Sequence, residues 1–186
     1  MDVGLLDGND HGPASTSPYL YDILSVKPNG KDLKVFASGM RQPWQMVFPG
    51  HSKSPFVSDL GQDGPKTVAK KAPDFLLRVH AGQDYGFPQC NWTKPKACTG
   101  FAKPFRVFAP HTDVMGPGII GKRLYMSEFL GNQGKSGLVV SIPWHSRTAK
   151  PQTLLTGFVA PVVGLGTHNG WVYVGELTGQ VFRVKA

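Results

Sequence analysis

Charged residues are scarce, at 17% of the 186 residues, and acids are the scarcer sign, with Asp+Glu 12 against Lys+Arg 20. There are 2 cysteines, too few for a disulfide-stapled miniature fold or a four-cysteine zinc site. No apolar run approaches the roughly 18 residues of a membrane-spanning helix. Helix-friendly stretches are few, which argues against a helical bundle. No Ser-His-Asp or Cys-His nucleophile constellation can be assembled, so the sequence lends hydrolase chemistry no support. Met1-Asp2 starts without the basic and apolar regions of a secretory leader. If the parent protein is exported, its leader is expected outside this chain.

What is abundant is turn-forming residue. Gly 23 and Pro 16 cut short runs of Val, Ile, Phe, Tyr and Trp, the pattern of an all-β chain. The net charge is +8, but the lysines are spread out, apart from Lys66, Lys70 and Lys71 in one loop. Nucleic-acid binders concentrate base on one face with aromatics between. No such stripe is present, so the charge reads as a solvated basic surface and no nucleic-acid partner is expected.

One short phrase recurs. Ser54–Gly61, Gly121–Gly131 and Gly170–Gly179 each run turn, β-rich stretch, small residue, acid and glycine. A weaker fourth copy opens the chain at Val3–Gly8. Repetition at this scale points to stacked or radial repeats. Strands are expected at 20–26, 33–37, 44–48, 56–58 and 75–80. The second half divides into two expected four-stranded units, 105–108 with 118–120, 124–127 and 138–142, then 153–158 with 162–166, 171–175 and 181–184. Four-stranded antiparallel units in series are the blades of a β-propeller. The steps between Asp59, Glu128 and Glu176 suit blades of about 40–50 residues with one long insertion. The expected fold is therefore all-β, a single propeller domain or partial propeller over 1–186, of between three and four blades. Long loop insertions fall near 60–73 and 82–104.

Cys90 and Cys98 flank a short loop. A local disulfide fits this spacing better than zinc, the alternative being two free buried thiols. Asn91-Trp92-Thr93 is a glycosylation sequon. Together these suggest an oxidising, extracellular or periplasmic setting.

The segment Gly39-Met40-Arg41-Gln42-Pro43 resembles the Gly-x-Arg-Asn-Pro motif of the soluble quinoprotein glucose/sorbosone dehydrogenases. Pro73–Val79 and Gly82-Gln83-Asp84-Tyr85-Gly86-Phe87-Pro88 resemble two further segments of that family, in the same order and spacing. The last unit, from Pro161 to Val184, looks like the family's last blade. The resemblance implies a six-bladed propeller of which this chain matches about the last four blades. It implies oxidation of a sugar hydroxyl, with hydride passing to pyrroloquinoline quinone beside calcium. The family's base histidine belongs to an earlier blade, so no residue here inherits that role.

By the same resemblance Arg41 and Gln42 are the cofactor-binding candidates, since a guanidinium forks onto carboxylates. The alternative is an arginine that ties a loop to backbone carbonyls. Asp59, Gly61, Gln62 and Asp74 are the metal candidates, with Asp63 nearby. Leu60 and Phe75 stand where the family carries polar and acidic residues. Calcium takes six to eight oxygens, and phenylalanine supplies none. Two functions follow: a sugar dehydrogenase that is incomplete and inactive alone, or a propeller without the cofactor that binds carbohydrate or protein. The expected substrate or ligand is a sugar or other small molecule. Open blade edges also invite self-association. His111-Thr112-Asp113 is a candidate sugar-binding or catalytic pair or, more simply, a capped turn. Glu128 and Glu176 recur with the repeat and read as architectural. Asp7-Gly8-Asn9-Asp10 lacks the full calcium-loop pattern.

Overall fold

The computed structural model describes the backbone of residues 2–3 and residues 17–62, 72–131 and 136–186. The expected fourth copy of the phrase, Asp7–Asp10, Asp63 and the lysine loop lie wholly or largely outside the described residues.

Four antiparallel sheets follow one another along the chain, and within each the strands pair in chain order. The first holds β1 (Asp2–Val3), β2 (Asp22–Ser25) and β3 (Lys34–Ala37). The second holds β4 (Pro43–Val47), β5 (Phe56–Asp59), β6 (Phe75–Arg78) and β7 (Arg106–Val107). The third holds β8 (Val114–Ile120), β9 (Arg123–Glu128), β10 (Leu138–Pro143) and β11 (Gln152–Leu155). The fourth holds β12 (Val162–His168), β13 (Trp171–Glu176) and β14 (Val181–Lys185).

The blade pattern is as expected, but the blade boundaries are not. The strand expected at Phe105–Phe108 is β7 and closes the second sheet. The strand expected at 153–158 is β11 and closes the third. Each belongs to the sheet before the unit in which the sequence grouping places it. Grouping by proximity ignores the long connection between β6 and β7. That connection leaves the sheet, carries one 3₁₀ turn at Pro95–Cys98, and returns to the same edge.

The recurring phrase marks one structural position, the second strand of each of the last three sheets. Asp59, Glu128 and Glu176 lie opposite Pro43, Val114 and Val162 at the start of the neighbouring strand. A bulge follows in all three, between Pro43 and Gln45, Val114 and Gly116, and Val162 and Gly164. A bulge turns the strand and disrupts the ladder locally, and at Asp59 and Glu176 the buried acid beside it receives a backbone N–H from the segment that leads into the neighbouring strand. Asp59 accepts from Gln42 N at 2.8 Å, and Glu176 from Val159 N at 3.0 Å.

Three apolar layers lie between the sheets. Val57 and Leu77 face Ile23 and Ala37, whereas their neighbours Phe56 and Leu76 face Val114, Leu124 and Met126. Tyr125 and Val139 face the opposite way, onto Val162, Val172 and Val174. Central strands are therefore apolar on both sides, which explains their unbroken hydrophobic runs. The third and fourth sheets approach closely where Gly116 and Gly118 leave room. A Cβ at Gly116 would stand 2.7 Å from Leu165 N, and one at Gly118 would stand 2.5 Å from Leu165 Cδ2. Gln45 Nε2 donates to Leu165 O at 2.7 Å, which ties β4 to β12 across the ends of the sheets.

Candidate functional site

The two segments that carry the family resemblance meet in space. Ser38 N donates to Gln83 O at 3.0 Å, Tyr85 N to Ser38 O at 2.9 Å and Phe87 N to Gly39 O at 3.0 Å. Gly39 has φ +77, and a Cβ there would stand 2.2 Å from Asp84 Oδ1 and 2.4 Å from Gly86 N. Only glycine allows this approach, and it delivers Arg41 to the end of the second sheet.

Arg41, Asp59, Gly61 and Gln62 line one small cavity of about 20 Å³, together with Phe75, Tyr85 and others. That volume holds one water molecule. Four of the sequence candidates are thus brought together. Gln42 sits just behind, where its Oε1 accepts from Arg41 Nη1 at 3.2 Å. Asp74 is also behind the wall. Its Oδ1 accepts from Gly61 N at 2.7 Å and its Oδ2 from Asp113 N at 2.8 Å, so it binds two loops together.

Arg41 is buried, and its Nη1 donates to the carbonyls of Gly61 and Leu60. The guanidinium therefore holds the loop that follows β5. Burial pushes the Asp59 carboxyl up to about 7, against the lowering effects of the Gln42 N–H and the Arg41 charge. Phe75 is buried in the apolar layer with Val57 and Leu77.

A loop over the cavity is held by features that the sequence showed only in part. Cys90 and Cys98 are bridged, with Cα atoms 5.3 Å apart. Asn91 Nδ2 donates to Gln62 Oε1 at 2.6 Å, and Thr93 Oγ1 donates to Asn91 Oδ1 at 2.7 Å. The sequon amide thus fastens the disulfide loop to the cavity wall. The sequence marks Asn91 as part of a glycosylation sequon and carries no signal for this contact with Gln62.

His111-Thr112-Asp113 forms a turn in which Thr112 Oγ1 donates to Ala109 O at 2.8 Å. His111 and Asp113 adopt positive φ, at 59 and 50. Glu128 is buried, and burial raises its carboxyl to about 7. Neither group lines the Arg41 cavity.

The described residues do not by themselves form a complete calcium–quinone site. The Leu60 and Gly61 carbonyls face an arginine, not an open ion site. Asp59 Oδ1 is already engaged by Gln42 N at 2.8 Å. Among the described residues no three His, Cys, Asp or Glu side chains group as a metal would need. Arg41 is the sole cation on the cavity wall among them, and the cavity is far smaller than a tricyclic quinone.

No family model and no curated protein matches the sequence. Solved structures match in fold. The PQQ-bound aldose sugar dehydrogenase of Streptomyces coelicolor superposes with a TM-score of 0.66 at 17% identity, over 89% of this chain and 52% of that one. The apo-form soluble aldose sugar dehydrogenase of Escherichia coli gives 0.57 at 18% identity, over 75% and 43%. A putative oxidoreductase (glucose dehydrogenase) of Thermus thermophilus gives 0.59 at 17% identity, over 80% and 44%. The chain spans about half the length of the structures it matches. At these identities the likeness is one of fold, and the fold is the β-propeller of sugar dehydrogenases.

Proposed function

We propose that this chain is an arc of a sugar-dehydrogenase-type propeller that does not itself oxidise sugar, and that it binds a carbohydrate on the loop face around Gln62, Asn91 and Trp92. The observation that carries this reading is the direction of Arg41, whose Nη1 is given to the Gly61 and Leu60 carbonyls beside an apolar Phe75 wall. Among the described residues no histidine lines the cavity, so it lacks an imidazole base. The Cys90–Cys98 bridge supports an extracellular or periplasmic setting.

A second reading rests on the meeting of Arg41, Gly61 and Gln62 in one place, and on the fold likeness. In it the chain belongs to a quinoprotein sugar dehydrogenase, in which other groups supply the base and the remaining oxygen ligands. Sugar-dependent dye reduction separates the two when it is measured on a protein that carries this arc together with the remaining blades of the ring. With pyrroloquinoline quinone, Ca²⁺ and an aldose series, the first reading expects no turnover. It also expects an aldose oligosaccharide to change the tryptophan fluorescence, and Trp92→Ala to weaken that response. Aldose-dependent turnover would favour the second reading.

A further inference from the structure

Away from the Arg41 cavity, the seam between the first and second sheets opens into a groove of about 480 Å³. Its walls are Ile23, Leu24 and Val26 from β2 and its end, Phe36 from β3, and Met46 and Phe48 from β4 and its end. Phe48 is 50% exposed and Val26 45%, so the apolar lining reaches solvent. Polar groups are few. Ser52 Oγ is already engaged, accepting from Arg78 Nη2 at 2.8 Å and from Ser54 N at 3.1 Å. Lys53 stands at this end and makes no ion pair among the described residues. A second hollow shares Ser25 and Val26 with the groove and carries Lys27, Asp32 and Lys34. Asp32 is paired with Lys27, which leaves Lys34 as the surplus charge there.

This lining selects the chemistry of an occupant. A sugar would bring several hydroxyls to walls that offer few partners, Ser25 Oγ and Lys53 among them, and each unpaired polar group buried this way costs affinity. A flexible hydrocarbon chain suits a groove of this size and composition. The lysines on the rim, with no unpaired carboxylate on either lining, select an anionic head. We propose that the seam between the first and second sheets binds a free long-chain aliphatic carboxylate, with the acyl chain along Ile23, Phe36 and Phe48 and the head group at Lys53.

Calorimetric titration of the chain with laurate, below the concentration at which it forms micelles, tests this. One laurate binds per chain with a dissociation constant on the order of micromolar, and butyrate at equal concentration does not bind. Lys53→Glu weakens laurate by about fivefold and leaves dodecanol unchanged. Phe48→Asp, at a half-exposed position, weakens both by about tenfold or more, with thermal melting confirming that the variant is folded. The proposal fails if laurate shows no saturable binding, if Phe48→Asp binds as well as the parent, or if dodecanol responds to Lys53→Glu as laurate does. It fails equally if sedimentation shows the groove closed by a second copy before laurate is added.

Discussion

Burial raises the carboxyls of Asp22, Asp59 and Glu128, and the last two are raised furthest. Asp59 and Glu128 are both raised by burial to about 7 in the folded state. The unfolded chain releases these protons near its ordinary carboxylate values, about 4. The folded state thus binds more protons across that interval, and stability falls as pH rises from about 4 to about 7, then levels. Asp59→Asn retains an oxygen to accept from Gln42 N and cannot ionise. It should therefore gain stability over the parent at pH 8, on the order of 1–3 kcal/mol, and little at pH 4. Urea unfolding at the two pH values measures this. Arg41→Ala should cost about 2–3 kcal/mol by leaving buried carbonyls without a donor. Arg41→Lys should recover only part of the loss, because an ammonium lacks the guanidinium fork. At this scale the sequence picks out residues that the structure brings together, and it is silent about where they point. The Gly39–Pro43 motif singled out Arg41, but whether its guanidinium faces a ligand or its own loop depends on the Gly61 carbonyl, and spacing does not encode that.

At the scale of strands and loops, the repeat is legible because it is physical. The acid, the bulge and the glycine recur at Asp59, Glu128 and Glu176 since each second strand meets its neighbour in the same way. What stayed hidden was the pairing of β7 with β6 across the disulfide loop, a long-range contact with no local signature. Gly116 and Gly164 occupy equivalent places after equivalent bulges, yet their surroundings differ. A Cβ at Gly116 meets Leu165, whereas one at Gly164 meets nothing within 4 Å. Gly116→Ala should therefore cost about 1–3 kcal/mol, while Gly164→Ala should stay within about 0.5 kcal/mol of the parent. Paired denaturation curves decide this, and equal losses would mean that the close approach of the third and fourth sheets is misread. Reducing the Cys90–Cys98 bridge frees only a short loop. A loss of about 2–3 kcal/mol is expected, with amide exchange accelerated chiefly around Asn91 and Gln62.

At the scale of the whole molecule, the four sheets and three apolar layers form the architecture of sugar-dehydrogenase propellers, matched at a TM-score of 0.66 over 89% of this chain. Periodicity and turn chemistry were enough to indicate that class, because alternate burial on two faces leaves a strong pattern in the strands. The same scaffold serves many functions, and chemistry resides in the site placed on it. Here Arg41 donates to the carbonyl of Gly61, so these two residues hold each other. On the function proposed above, Arg41 is a structural clamp in this chain, not a quinone ligand. The most direct measurement is a titration of the chain with pyrroloquinoline quinone and Ca²⁺, followed by quinone absorbance and melting temperature. The account predicts no saturable change in either. A saturable absorbance change with a raised melting temperature, abolished by Arg41→Ala in a protein still folded, would contradict it.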